Sequence, residues 1–199
     1  MSGLVAFLCR ALCGARARWL GCEPAERPRI YFANHTSHLD AVVLWATLPR
    51  MLRARPRPVA ARDYWTANRV RLWLAEKVFH ALLIERRKVT TQENPLRDML
   101  AALDAGDSLI LFPEGTRSTN LEPQTFKSGL FHLAKQRPQV ELVPVYLENL
   151  NRILPKGEML PVPLLGSVTI GSPVRLEQGE TKESFLERAR QSVCNLHRT

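Results

Sequence analysis

Apolar positions along the chain change period several times, and each change marks an element. Residues 2–20 set small apolar clusters (Leu4, Val5, Phe7, Leu8, Leu12) among Arg10, Arg16, Arg18 and Trp19, which predicts a basic amphipathic helix. Such a helix suits a membrane interface or docking on a domain core, and the pattern leaves both open. Arg29 to Ala33 is a β-branched and aromatic run that predicts a buried strand. Leu39 to Leu48 then predicts a helix ending near Pro49. Residues 50–58 form a basic connection broken by prolines, ahead of a short strand at Val59 to Ala61. Asn68 to His80 carries Trp73, Leu74, Val78 and Phe79 at helical spacing, and Leu82 to Ile84 is a strand entering the charged run Glu85 to Lys88.

The second half is punctuated more clearly. Asn94 and Pro95 predict a helix start, Leu96, Met99, Leu100 and Leu103 form its face, and Gly106 its stop. A strand at Ser108 to Phe112 follows at once. Strand, helix and strand in that order predict a parallel crossover unit. A helix near Ser128 to Gln136, strands at Val140 to Tyr146 and Ser167 to Ile170, and a helix with Phe185, Ala189 and Val193 in step complete the pattern. The class is α/β: a single domain with a mixed, partly parallel sheet flanked by helices, plus the N-terminal amphipathic helix.

Composition narrows the partners. The 199 residues are 45% hydrophobic and 24% charged, an ordinary globular balance that excludes disordered, collagen-like and disulfide-dense classes. The net charge is +9, which makes nucleic acid or an anionic membrane the first candidates. The charge is uneven: residues 1–88 hold 16 basic and 6 acidic side chains, whereas residues 89–199 hold 12 and 13. No stretch reaches the roughly 20 apolar residues of a spanning helix. Arg10, Arg16 and Arg18 follow the first apolar run rather than precede it, so no cleaved signal is expected. Cys9, Cys13, Cys22 and Cys194 contain no CxxC pair and are expected as reduced thiols without metal.

Signatures of a serine-nucleophile hydrolase, a P-loop enzyme, a dinucleotide-binding turn and a zincin are all missing from the sequence. Two polar segments at strand ends remain. In Asn34 to Asp40, His35 and Asp40 would point about 140° apart on one continuous helix of ~3.6 residues per turn. They meet only if His35 precedes the helix and the chain turns back. Asp40 would then hold one ring nitrogen and leave the other free as a general base. Ser37 to Asp40 also fits a helix cap, in which Asp40 serves only the backbone. The second segment is Phe112-Pro113-Glu114-Gly115-Thr116-Arg117-Ser118. There glycine permits close backbone approach, Arg117 offers a fork for phosphate, and Glu114 offers an acceptor. His38, His80, His132 and His197 lack metal-ligand spacing and are expected in packing or surface roles.

His35-x4-Asp40 followed by FPEGTRS at 112–118 resembles the glycerolipid acyltransferase family, best known for the 1-acylglycerol-3-phosphate acyltransferases. The charged run with Arg86 resembles that family's second motif, Phe126 to Gly129 the segment after its third, and Val143-Pro144-Val145 its fourth. Leu154 to Val174 resembles the strand pairing that closes the domain, so the likeness covers about residues 29–175. It implies a glycerol-3-phosphate acyltransferase-like fold, with residues 1–22 as the N-terminal segment and 23–199 as the acyltransferase domain. It further implies that His35 deprotonates an acceptor hydroxyl for direct attack on an acyl thioester while Asp40 fixes the ring. Arg86, Glu114, Gly115, Thr116 and Arg117 would bind the acceptor's phosphate headgroup.

Expected partners are acyl-CoA or acyl-carrier protein as co-substrate, a lysophospholipid and an anionic membrane surface, with no cofactor, no metal and no nucleic acid. The expected acceptor is lysophosphatidic acid; a lyso-ornithine lipid, another lysophospholipid or glycerol 3-phosphate is the alternative. A basic nucleic-acid-binding protein and a non-catalytic lipid binder are the rivals in class. The expected location is the cytoplasmic side of the cell membrane, held peripherally. The chain departs from the family pattern at His80-Ala81, where glycine is common, at Glu85, and at Arg62-Asp63-Tyr64-Trp65.

Overall fold

A computed structural model describes residues 2–85, 94–118, 120, 122–150 and 166–197. Its framework is a seven-stranded sheet: β1 (Arg16–Trp19), β2 (Arg29–Ala33), β3 (Pro56–Ala61), β4 (Leu82–Ile84), β5 (Ser108–Leu111), β6 (Glu141–Glu148) and β7 (Ser167–Ile170), in the order β1-β7-β6-β2-β5-β3-β4. All neighbours run parallel except β6 and β7. The mixed, mostly parallel α/β sheet agrees with the sequence expectation.

Helices cover both faces. β2 is buried along its whole length, and its side chains alternate between the two faces as the strand repeat requires. Tyr31 and Ala33 join the core beneath α1 (Ser2–Cys13) and α2 (Asp40–Thr47), with Leu44, Trp45, Val78 and Phe79. Ile30 and Phe32 join the opposite core, with Met99 and Leu103 of α5 (Pro95–Asp104), Leu130 and Leu133 of α6 (Gly129–Gln136), and Phe185 and Val193 of α7 (Lys182–His197). Asn94 caps α5 by accepting from the Leu96 amide at 3.0 Å, and Gly106 follows with φ of 88°.

Three expectations need correction. The helix predicted over residues 2–20 stops at Cys13; Gly14 turns the chain at φ 57°, and residues 16–19 become β1, parallel to β7. That strand ties the N-terminal segment into the sheet, and α1 packs on the core through Ala6 and Cys13. β3 begins at Pro56 rather than Val59, because Pro56 to Pro58 pair with β5 alone and β4 joins only from Val59; the missing proline N–H groups take the open side. The helix predicted over 68–80 is α4 (Arg69–Trp73) widening into a π-turn over Leu74–Val78, and a separate short helix, α3 (Arg62–Thr66), precedes it. His80 ends that turn at φ 48°, with the Ala81 amide reaching back to the Ala75 carbonyl.

Candidate active site

Because β2, β5, β3 and β4 are parallel, their C-terminal ends share one edge of the sheet, where open α/β sheets bind ligands. Both polar segments leave from that edge. Asn34 ends β2, and its buried amide donates to the Leu147 carbonyl at 2.9 Å and accepts from the Leu147 amide at 2.7 Å, which holds the strand end against β6. His35 therefore starts from a fixed backbone position.

The chain turns back between His35 and Asp40, as their pairing requires. Nδ1 of His35 lies 2.8 Å from Oδ2 of Asp40. The same oxygen accepts from the amides of Thr36 at 2.6 Å and Ser37 at 2.9 Å. Asp40 is fully buried, whereas the His35 side chain is 16% exposed. One carboxylate oxygen thus secures the ring and two backbone donors of the turn before α2, whose own N-cap, Leu39, has no side-chain cap. Asp40 Oδ1 has no partner among the described residues. The His35 ring stacks on Phe112 at 4.3 Å between centroids and 22° between planes. With Nδ1 engaged, Nε2 is the nitrogen left to exchange a proton.

Glu114 joins the two segments. Its Oε1 accepts the His35 amide at 2.7 Å and its Oε2 the Gln124 amide at 2.9 Å. The side chain is buried; burial pushes its carboxyl above the ordinary range, and the two amide bonds oppose that rise. The Ser118 amide donates to the His35 carbonyl at 2.8 Å, so His35 is held at its ring, its N–H and its C=O. Gly115 turns the chain at φ 71° with its amide on the Phe112 carbonyl. Thr116 is exposed, and the half-exposed Arg117 has no ion-pair partner among the described residues.

The structure therefore brings His35, Asp40 and Glu114 into one bonded cluster and sets Gly115, Thr116 and Arg117 on the turn that follows. Arg86 lies outside the described residues, as does most of the closing segment from Leu154. Sequence reasoning missed the Phe112 ring beneath His35, though its position between strand and turn was a signal. It also missed an aromatic cluster next to the site: His38 stacks on Tyr64 at 4.2 Å, Arg71 lies 4.6 Å above the same ring, and Trp65 contacts Tyr64 and Phe79 edge-on. Tyr64 and Trp65 of this cluster come from the stretch that departs from the family pattern. Arg62 and Glu85, two more residues at departures, pair at 3.3 Å.

A partly exposed histidine oriented by a buried carboxylate at the strand ends of an α/β sheet has the geometry with which a general base can activate a hydroxyl. A family model described as Acyltransferase matches residues 21–148, and the chain belongs to that family. The human 1-acyl-sn-glycerol-3-phosphate acyltransferase alpha is 33% identical over 129 residues, 63% of this chain and 42% of the relative. A 1-acyl-sn-glycerol-3-phosphate acyltransferase of Chlamydomonas reinhardtii is 28% identical over 177 residues, 86% of this chain and 49% of the relative. Taffazin of Dictyostelium discoideum is 28% identical over 168 residues, covering 77% and 57%. The chain spans about half the length of the curated relatives it matches. The crystal structure of the 1-acyl-sn-glycerophosphate (LPA) acyltransferase PlsC from Thermotoga maritima superposes with a TM-score of 0.76 at 21% identity, covering 99% of this chain and 77% of that one. That likeness establishes the fold, and the resemblance read from the sequence is borne out.

Proposed function

We propose that this protein is an O-acyltransferase that moves a fatty acyl group from an acyl thioester to the free hydroxyl of lysophosphatidic acid, giving phosphatidic acid. The observation that carries the reading is the 2.8 Å contact between His35 Nδ1 and the buried Asp40. In the neutral ring whose Nδ1–H donates to Asp40, Nε2 carries the lone pair that takes the hydroxyl proton as the oxygen attacks the thioester carbonyl. The imidazolium that forms is stabilised by the carboxylate. The tetrahedral intermediate collapses to the ester, the carbon–sulfur bond breaks, and the proton on Nε2 passes to the departing thiolate. A general base of this kind is worth ~10²–10⁴ in rate. No acyl-enzyme is needed, because a thiolate leaves readily.

Arg117 and Arg86, with Gly115 and Thr116 on the turn, receive the phosphate of the acceptor. Glu114 acts in that binding through the backbone it secures. The donor is acyl-CoA or acyl-carrier protein, with no metal or bound cofactor in the cycle. The protein works peripherally at the cytoplasmic side of the cell membrane. Leu4, Phe7 and Leu8 on the outer face of α1 and Met51 are exposed apolar side chains, beside exposed Arg10 and Arg50. No helix among the described residues is long and apolar enough to cross a membrane.

The test is turnover by the purified protein with lysophosphatidic acid and a panel of acyl-CoA and acyl-carrier donors. Other lysophospholipids, a lyso-ornithine lipid and glycerol 3-phosphate serve as competing acceptors. His35→Ala should lower turnover by at least ~10²-fold with liposome binding intact. Equal turnover in that variant overturns the mechanism, and preference for another acceptor overturns the substrate assignment.

A further inference from the structure

The turn after β5 holds a second cation that its sequence motif does not contain. Phe126 is buried edge-on to Phe32 of β2, with centroids 6.2 Å apart, and the next amide, that of Lys127, donates to the Pro113 carbonyl at 2.8 Å. Those two contacts fix residues 126 and 127 against the turn. The Lys127 side chain then runs across Gly115. A Cβ added at Gly115 would lie 2.9 Å from Lys127 Cδ, 2.7 Å from Cε and 2.5 Å from Nζ. The lysine thus occupies the space that only glycine leaves, at a residue whose φ of 71° also favours glycine.

This placement has an electrostatic consequence. Glu114, the acid next to Gly115, has both oxygens occupied by the backbone amides of His35 and Gln124. Among the described residues Lys127 has no ion-pair partner, and neither has Arg117 two positions beyond the glycine. Two cations without an ion-pair partner among the described residues therefore sit on one turn, which Glu114 ties to the histidine. An ammonium is a point charge with three donors and arginine a planar fork, a combination suited to a phosphate's three oxygens. A phosphomonoester carries about −1.5 to −2 at pH 7, whereas a zwitterionic headgroup has its negative charge already offset.

We propose that Lys127 is a phosphate-binding residue which, with Arg117, selects acceptors bearing a phosphomonoester. The proposal rests on the acyltransfer reading for its substrate, but its binding consequence is measurable without turnover.

The full chain and its Lys127→Gln and Lys127→Arg variants are compared in two measurements: steady-state kinetics with lysophosphatidic acid, and direct calorimetric binding of glycerol 3-phosphate. Losing one charge-assisted contact, Lys127→Gln should raise both KM and Kd about tenfold or more. Its kcat should stay within about twofold, and its melting temperature should be unchanged. Lys127→Arg should keep most of the affinity. Unchanged KM and Kd in the glutamine variant overturn the proposal. So does a fall in kcat at constant KM, which would mark Lys127 as a support of the turn, and so does a wild-type protein that binds no glycerol 3-phosphate. Wild-type protein that binds glycerol 3-phosphate yet does not acylate lysophosphatidic acid overturns the acyltransfer reading alone, and the Kd ratio still decides the role of Lys127.

Discussion

Asp40→Asn isolates the charge in the His35 pair from its geometry. Oδ2 of Asp40 receives three donors: His35 Nδ1 at 2.8 Å, the Thr36 amide at 2.6 Å and the Ser37 amide at 2.9 Å. In the asparagine variant the two backbone N–H groups select the rotamer, because the amide oxygen must face them and the NH2 group must take the place of Oδ1. The ring then still donates from Nδ1 to an oxygen, and its tautomer is kept. What disappears is a negative charge about 4 Å from the imidazolium that forms during transfer, worth about 4 kcal/mol at an effective dielectric constant near 20. At about 1.4 kcal/mol per decade that is roughly a 10³-fold loss of kcat. The NH2 group enters a site where Oδ1 already lacks a partner among the described residues, adding an unsatisfied buried donor that costs about 1–3 kcal/mol of stability. The assay is single-turnover acyl transfer at saturating acceptor, with urea unfolding alongside. A folded variant that retains kcat within about threefold of wild type would refute the general-base argument, since the Coulomb term cannot be that small at this separation.

Three further outcomes are expected. Glu114→Gln places an NH2 group against one of two backbone donors, so it should destabilise by about 1–3 kcal/mol and lower kcat by loosening His35. A rise in acceptor KM at unchanged kcat and stability would instead make Glu114 a direct ligand. His80→Gly removes left-handed strain at an exposed C-terminal helix position with φ of 48°, where glycine is the usual residue. It should stabilise by about 0.5–1 kcal/mol, a rise in melting temperature of about 1–4 °C; a fall in melting temperature would contradict this. Glu141 is partly buried, and its bonds to Arg27 and the buried Arg29 outweigh that burial and hold its carboxyl below the usual range. Its stabilisation is therefore full above the unfolded carboxylate pKa of about 4.3 and is lost as pH falls through the depressed native value. Glu141→Gln should cost about 2 kcal/mol at pH 7, and the difference from wild type in urea unfolding should shrink in acid; a pH-independent difference would contradict the pairing.

The elements legible in the sequence are those whose signals are local. Asn94, Pro95 and Gly106 bracket α5 because capping and the left-handed turn are chemistry of adjacent residues. β2 reads as buried because its five residues are apolar except Arg29, whose charge Glu141 meets. β1 was less visible although Arg16-Ala17-Arg18-Trp19 does alternate, with the arginines exposed and the other two half-buried. Its partner β7 lies about 150 residues away, and four alternating residues are too few to separate a strand from the continuation of the helix before it. The π-turn left no trace either, since it spans only five residues, too few for a periodicity to tell a wider turn from an α-helical one.

The site divides along the same line. His35 and Asp40 are close in sequence, and their spacing already demanded the reversal that the structure contains. In the sequence Glu114 reads as an acceptor for a ligand hydroxyl or a partner for Arg117, whereas in the fold its carboxylate takes two backbone amides. The choice depends on where the His35 and Gln124 N–H groups point, and those directions are set by β2 and by the buried anchor at Phe126. With both Glu114 oxygens on backbone amides, neither Lys127 nor Arg117 forms an ion pair among the described residues. The same buried carboxylate therefore both fixes the His35 backbone and ties it to the turn that carries Gly115 and Arg117, so a substitution at Glu114 should disturb the two segments together.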